Sequence, residues 1–275
     1  MIGPVDLTGR IGLVTGASRG LGRAIAEAMA GSGATVVAVA RTEVAGAPGG
    51  DHGPGRIIPM TCDVADVDAV MALGERVAAD VGPVSMLVNA AGVFGQIELI
   101  ARTDPHAWVR TIMVDAVASY LTVRAFLPGM LDAGWGRIVN LTSAASLHPP
   151  GPLNSAYGTA KVALNQFTRH LAAEIAGTGV TANVIHPGDV QTAMWADIRD
   201  QVTALGPVAA DYQAWVDWVA ETGGDPPQKA VDLVLRLVSD QDGVPNGEFC
   251  WIDDPLQAPI ASWDPPSGAR PWLDE

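Results

Sequence analysis

Short apolar runs alternate with helix-length amphipathic stretches along most of the chain. The runs Arg10–Thr15, Ala34–Ala40, Ile57–Cys62, Met86–Asn89, Arg137–Leu141 and Val180–Ile185 are rich in Val and Ile and read as strands buried on both faces of a parallel sheet. Stretches of helical period lie between them, near 21–32, 66–80, 105–132 and 155–177, and a further one lies near 227–239. That order predicts α/β architecture, a doubly wound parallel sheet with helices on both faces. The six β/α units leave no room for a second core before about residue 190, so 1–275 is expected to be a single domain.

Composition narrows the partners. Of 275 residues 48% are hydrophobic and only 17% charged, which excludes wholesale disorder. The formal charge is −14, and no Lys/Arg cluster interrupts it, so nucleic acid is not an expected partner. The longest uncharged stretch, Ile138–Ala160, holds Pro149, Pro150 and Pro152 and cannot span a bilayer, so no membrane association is expected. Met1–Arg10 lacks the basic patch and apolar run of a secretory signal. The two cysteines, Cys62 and Cys250, lie far apart, and neither they nor the five histidines show metal-ligand spacing; a cytoplasmic protein without a metal is expected.

Chemistry is most legible where the first strand ends. Thr15-Gly16-Ala17-Ser18-Arg19-Gly20-Leu21-Gly22 leads straight into a helix beginning Arg23-Ala24-Ile25. Glycines there let the backbone approach a pyrophosphate, and the helix N-terminus supplies free N–H groups and the positive end of its dipole. The unit predicts a dinucleotide site of Rossmann type. Tyr157 and Lys161 sit at i and i+4 on one helix face, and an ammonium beside a phenol is expected to favour the phenolate. Ser143 ends the fifth strand, at the edge where open α/β sheets bind ligands.

These motifs, with Asn89-Ala90-Ala91-Gly92 after the fourth strand, Tyr157-Gly158-Thr159-Ala160-Lys161 after the fifth, and Pro187-Gly188 with Thr192 after the sixth, resemble the short-chain dehydrogenase/reductase family over about residues 7–250. The resemblance implies that Tyr157 is the catalytic acid/base, that Ser143 orients the carbonyl or alcohol, and that Lys161 also binds the nicotinamide ribose. It implies nucleotide contacts from Gly16, Ser18, Arg19, Gly20, Leu21 and Gly22, from Asp63 and Val64, from Asn89, Ala90 and Gly92, and from Pro187, Gly188, Val190 and Thr192. Two departures stand out. Ser143 lies one residue further from Tyr157 than the family spacing, which leaves Ser146 as an alternative, and the family's fourth catalytic position, an Asn, falls on Asp115.

Cofactor choice turns on the end of the second strand, where Arg41 follows Ala40 and an acidic ribose partner is missing. Arg41 and Arg19 together favour NADP(H) over NAD(H), with Glu43 the competing signal. By resemblance the residues from about 192 to 226 form a substrate lid, and 253–275 make an extended tail in which Trp263 and Trp272 are docking candidates. Trp195, Tyr212, Trp215 and loop residue His148 are the candidate substrate contacts, and Trp215 and Trp218 share a helical face that reads equally well as a small core. His186 is expected to pack below the nicotinamide.

The expected activity is interconversion of a ketone and a secondary alcohol, with a bulky apolar or aromatic substrate. A non-redox epimerase or dehydratase and a nucleotide-sensing regulator are the alternatives. A homotetramer is expected by resemblance, with Ala156, Ala160, Ala163, Leu164, Phe167 and Leu171 as the small and apolar packing surface.

Overall fold

The computed structural model describes residues 5–42, 54–147, 151–240 and 243–252. Among them seven strands form one parallel sheet: β1 (Ile11–Thr15), β2 (Thr35–Ala40), β3 (Arg56–Thr61), β4 (Met86–Asn89), β5 (Gly136–Leu141), β6 (Val180–His186) and β7 (Phe249–Trp251), in the order β3-β2-β1-β4-β5-β6-β7. The chain reverses direction of travel across the sheet between β1 and β4, which opens a crevice at the carboxyl ends of those strands. The six predicted strands are present within a residue or so, but the third, β3, is an edge strand and is part exposed rather than buried on both faces. The seventh was not legible: Phe249-Cys250-Trp251 is short, and it pairs with Val184, Ile185 and His186 from far along the chain.

Successive strand residues serve opposite faces of the sheet. Val14, Val36, Ala38, Val88 and Val139 join one core beneath α1 (Gly20–Gly31) and α8 (Pro227–Val238). Leu13, Val37, Val39, Leu87 and Ile138 join the other, beneath α2 (Val67–Asp80), α4 (Ala118–Asp132) and α5 (Ser155–Glu174). Asp66 caps α2 by accepting from Ala69 N–H at 2.9 Å, and Asp104 with Pro105 starts α3 (Pro105–Ile112). From Pro105 to Asp132 the helix is continuous and, by length and composition alone, apolar enough to cross a membrane, but half of its apolar window is buried within the protein. A π-helical turn, Met113–Val117, interrupts it and carries Asp115.

Two buried polar networks lock the central strands to these helices. Asn89 Nδ2 donates to Asn140 Oδ1 at 2.9 Å, Thr122 Oγ1 donates to Asn89 Oδ1 at 2.8 Å, and Asn140 Nδ2 donates to Thr168 Oγ1 at 2.8 Å. Beyond the end of β5, Thr142 Oγ1 donates to Asn165 Oδ1 at 2.6 Å, Asn165 Nδ2 to Ser146 Oγ at 2.7 Å, and Ser146 Oγ to the Ser143 carbonyl at 2.6 Å. These bonds offset the penalty of burying the groups and hold α4, β4, β5 and α5 in one register. Residues following β6 form α6 (Ala193–Leu205) and α7 (Ala210–Thr222), stacked against each other beside the carboxyl edge of the sheet.

Candidate active site

One cleft at the carboxyl edge collects most of the residues singled out from sequence. Gly16, Ser18, Arg19, Gly20, Leu21, Gly22, Arg41, Asp63, Val64, Ala90, Gly92, Tyr157, Lys161, Pro187 and Thr192 all line it. The glycine turn is shaped by contact. Gly16 has φ +69° and a Cβ there would lie 2.8 Å from Ala91 Cα, while a Cβ on Gly22 would lie 2.5 Å from the Gly16 carbonyl oxygen. Thr15 Oγ1 accepts from both Ala90 and Ala91 N–H at 3.1 Å, tying the loop after β4 to the turn after β1. The result is a backbone-lined cradle at the N-terminus of α1, and it fits a pyrophosphate.

Further along the cleft, Asp63 accepts from Arg110 at 2.9 and 2.8 Å. Partial burial alone would raise the Asp63 carboxyl, but the Ala65 N–H and then Arg110 hold it below the usual carboxylate range. Arg110 also lines the cleft. It went unnoticed in the sequence because it stands alone on an ordinary helix, 47 positions from its partner.

At the inner end of the cleft, Tyr157 and Lys161 are 8% and 4% exposed. The expectation of a phenolate-favouring ammonium is reversed here. Burial pushes the Tyr157 phenol up, Asp115 and Asp189 push it further, and the Ser143 hydroxyl pulls only partly the other way. Lys161 Nζ lies 5.4 Å from the centre of the Tyr157 ring and donates to the Leu141 carbonyl at 3.0 Å. Its charge faces Asp115 Oδ2 at 3.5 Å. Asp115 therefore joins this cluster; burial pushes its carboxyl up, and Lys161 and then the Val93 N–H act against that rise.

Ser143 and Ser146 separate clearly. Ser146 is 3% exposed with its hydroxyl hydrogen-bonded on both sides, whereas the Ser143 hydroxyl accepts from Ala145 N–H at 3.2 Å and lies close enough to Tyr157 to affect its proton. His186 accepts from Ala144 N–H at 3.2 Å and stacks edge-on against Trp251 at 5.1 Å, so it supports the turn carrying Ser143. Asn89, Ser143, Gly188 and Val190 are not among the residues lining the cleft, and Gly188 packs against Ile252 and Asp225. Asn89 belongs to the buried network, and Val190 is 8% exposed and bridges to Gly224.

Over the Tyr157 ring lies Phe94, at 4.6 Å between centroids, with Tyr212 edge-on to Phe94 at 6.2 Å. Burial and then the neighbouring Tyr157 raise the Tyr212 phenol to about 12. Phe94 follows the Asn89–Gly92 motif directly and its role was missed, since one aromatic in a loop shows no period. Trp195 is 6% exposed among Ile198 and Val202, Trp215 Nε1 donates to Asp189 Oδ1 at 3.0 Å, and Trp218 is 36% exposed. The shared face of Trp215 and Trp218 is thus not a single core. Leu153, from the same chamber, holds a left-handed φ of 78°, an arrangement costing a non-glycine residue about 1–2 kcal/mol. His148, Glu43, Trp263 and Trp272 lie outside the described residues.

The same architecture and motifs recur in known proteins. The family model for short chain dehydrogenases matches residues 10–203, well over half of the chain. A short chain dehydrogenase of Pseudocercospora fijiensis is 34% identical over 70% of this chain, which spans 63% of that relative's length. A 3-oxoacyl-acyl-carrier-protein reductase of Haemophilus influenzae is 34% identical over 72% of this chain and 81% of its own. Among solved structures, a candidate NAD(P) dependent gluconate 5-dehydrogenase of Beutenbergia cavernae, with NADP bound at low occupancy, is 31% identical with a TM-score of 0.76, covering 91% of this chain and 98% of that one. With this sheet order, this cleft and these matches together, the chain belongs to the short-chain dehydrogenase/reductase family.

Proposed function

We propose that the protein is an NADP(H)-dependent reductase that interconverts a bulky apolar or aromatic ketone and its secondary alcohol, with Tyr157 as acid/base. The observation that carries this reading is the buried Tyr157 phenol, beside Ser143 and Lys161, in the same cleft as the glycine cradle. When bound, the nicotinamide supplies or accepts the hydride. The Gly16–Gly22 cradle would hold the pyrophosphate, Asp63 with Val64 the adenine, and Arg19 and Arg41, both in the cleft lining, a 2′-phosphate. Lys161 would bind the nicotinamide ribose, and Pro187 and Thr192 the nicotinamide end.

In the reductive direction Tyr157 gives its proton to the carbonyl oxygen as hydride reaches the carbonyl carbon. Ser143 donates to the same oxygen and then to the phenolate left behind. The products are the secondary alcohol and the oxidised cofactor. Phe94, Tyr212 and Leu153 surround the phenol with apolar surface and support a large, apolar substrate over a short polar one. Helices α6 and α7 would then act as the lid, and Trp215 as its anchor to Asp189 rather than as a substrate contact.

A homo-oligomer, a tetramer as expected by resemblance, is also proposed. Of the expected packing surface Ala156, Ala160, Leu164 and Leu171 are buried within their own chain and cannot meet a partner, whereas Ala163 is exposed and Phe167 partly so, and Val109, Tyr120 and Val162 on α3, α4 and α5 are about half exposed. Light scattering at micromolar concentration checks this, and a monomer would refute it. The test of the reaction is Tyr157→Phe, assayed on a panel of ketones of increasing apolar size with both cofactors. It should lower kcat by roughly 100-fold or more while NADPH binding holds. Near-wild-type kcat in the variant, or better kcat/KM for small polar carbonyls, would overturn the assignment.

A further inference from the structure

Asp115 is a buried acid placed against the proton-handling pair. It is 1% exposed. Its Oδ1 accepts from Val93 N–H at 2.8 Å, while Oδ2 is buried without a hydrogen-bond partner, 3.5 Å from Lys161 Nζ. Burial pushes the Asp115 carboxyl up, while Lys161 and then the Val93 N–H favour its ionised form; ionised, it sets against the ammonium a charge that an asparagine, offering Val93 the same acceptor, would not. The π-helical turn that carries Asp115 is a local widening of an otherwise regular helix, and such turns are found most often at functional positions.

We propose that Asp115 is a positioning residue whose charge offsets that of Lys161, so that Tyr157 keeps its proton through neutral and mildly alkaline pH and the site favours carbonyl reduction over alcohol oxidation. The inference rests on the reading of Tyr157 as acid/base. Reduction must begin from the phenol and oxidation from the phenolate. An ammonium acting alone would stabilise the phenolate, but a carboxylate 3.5 Å from it subtracts from its field at the phenol, so the net pull on the proton is weaker than the ammonium's own. The equilibrium of the overall reaction is untouched. What changes is the pH range over which each direction finds its working form.

The groups facing the phenol act in both senses. Asp189 follows β6 and adds a second negative charge that favours the phenol, and Tyr212 on α7 is an un-ionised phenol near neutral pH. The Ser143 hydroxyl, after β5, and the Lys161 ammonium, from α5 itself, favour loss of the proton, and His186 is turned to the Ala144 N–H. Among these, Asp115 is the group whose removal leaves Lys161 unopposed.

The phenol itself can be read. The chain has three tyrosines, Tyr120, Tyr157 and Tyr212, so carbon-13 labelling at tyrosine Cζ yields three resonances, and Tyr157→Phe identifies the one that matters. On the full chain, the wild-type Tyr157 signal should remain that of the neutral phenol to about pH 10. In Asp115→Asn its transition should fall by about one pH unit or more, a tenfold rise in the phenolate fraction at a given pH. Asp115→Ala, which also gives up the Val93 contact, should move it the same way, separating charge from shape. A wild-type Tyr157 that ionises below about pH 9 would overturn the proposal without any variant. So would an Asp115→Asn signal that follows the wild-type curve throughout. No turnover is needed, so this result stands apart from the Tyr157→Phe assay of the reaction.

Discussion

Replacing Gly22 by alanine tests whether the glycine turn is a ligand cradle or only a tight corner. Its new Cβ would sit 2.5 Å from the Gly16 carbonyl oxygen, 2.8 Å from the Gly16 carbonyl carbon and 3.1 Å from the Thr15 carbonyl oxygen. Ordinary contact begins near 3.4 Å, and all three neighbours are backbone, so the start of α1 must retreat by the better part of an ångström. Overpacking of this kind costs about 1–3 kcal/mol. The better helix propensity of alanine offsets at most about 1 kcal/mol. A net loss of about 1–2 kcal/mol should lower Tm by roughly 2–8 °C for a chain of this size. The same retreat moves the first N–H groups of the helix away from the pyrophosphate, and a loss of about 1.4 kcal/mol there weakens NADPH binding tenfold. Calorimetric melts and a fluorescence titration with NADPH measure both. Gly129→Ala, at an exposed site on α4 where a Cβ meets nothing within 4 Å, is the control and should leave binding unchanged with stability equal or up to about 1 kcal/mol greater. If Gly22→Ala lowers Tm yet binds NADPH as the wild type does, the turn is a corner and the cradle argument fails.

Three more outcomes follow from the geometry. Arg41→Asp should shift the ratio of kcat/KM from NADPH toward NADH, because a phosphate partner becomes a phosphate repellent and a ribose-hydroxyl acceptor; a wild type that already prefers NADH sinks that reading. Trp215→Phe keeps the ring but removes the 3.0 Å hydrogen bond to Asp189, worth about 1 kcal/mol, so KM for a bulky ketone should rise about fivefold with NADPH affinity unchanged, and an unchanged KM counts against α7 as the lid. Asp63 has its carboxyl lowered in the folded state, so its contribution to stability is present above the unfolded value near 3.8 and lost as pH falls through the lower folded value. The Tm difference between wild type and Arg110→Ala should accordingly shrink below about pH 4; a difference that stays constant or grows there contradicts the pairing.

Much of this protein is written in local sequence. Strands buried on both faces must be apolar at successive positions, and helices between them must carry one apolar stripe, so the β/α order can be read without knowing any contact. The glycine turn is equally local, because a left-handed φ at Gly16 and close backbone approach at Gly22 exclude side chains wherever the chain runs next. Tyr157 and Lys161 were legible for the same reason: helical period alone puts i and i+4 on one face.

What tertiary structure decided is everything that depends on which distant groups meet. Whether Lys161 acidifies Tyr157 hangs on Asp115, which arrives from another helix at 3.5 Å, and on burial, which no spacing reveals; here burial prevails because an ion taken out of water loses more than a compensated ammonium returns. Phe94 over the phenol, Arg110 on Asp63 and the strand Phe249–Trp251 are pairings across tens of residues between segments that are individually unremarkable. The tryptophans show the limit most plainly. Helical spacing put Trp215 and Trp218 on one face and left Trp195 a candidate substrate contact, but the fold buries Trp195, ties Trp215 to a carboxylate and leaves Trp218 part exposed, because an indole has both a large apolar face and one N–H donor, and only the surrounding structure determines which of the two is satisfied.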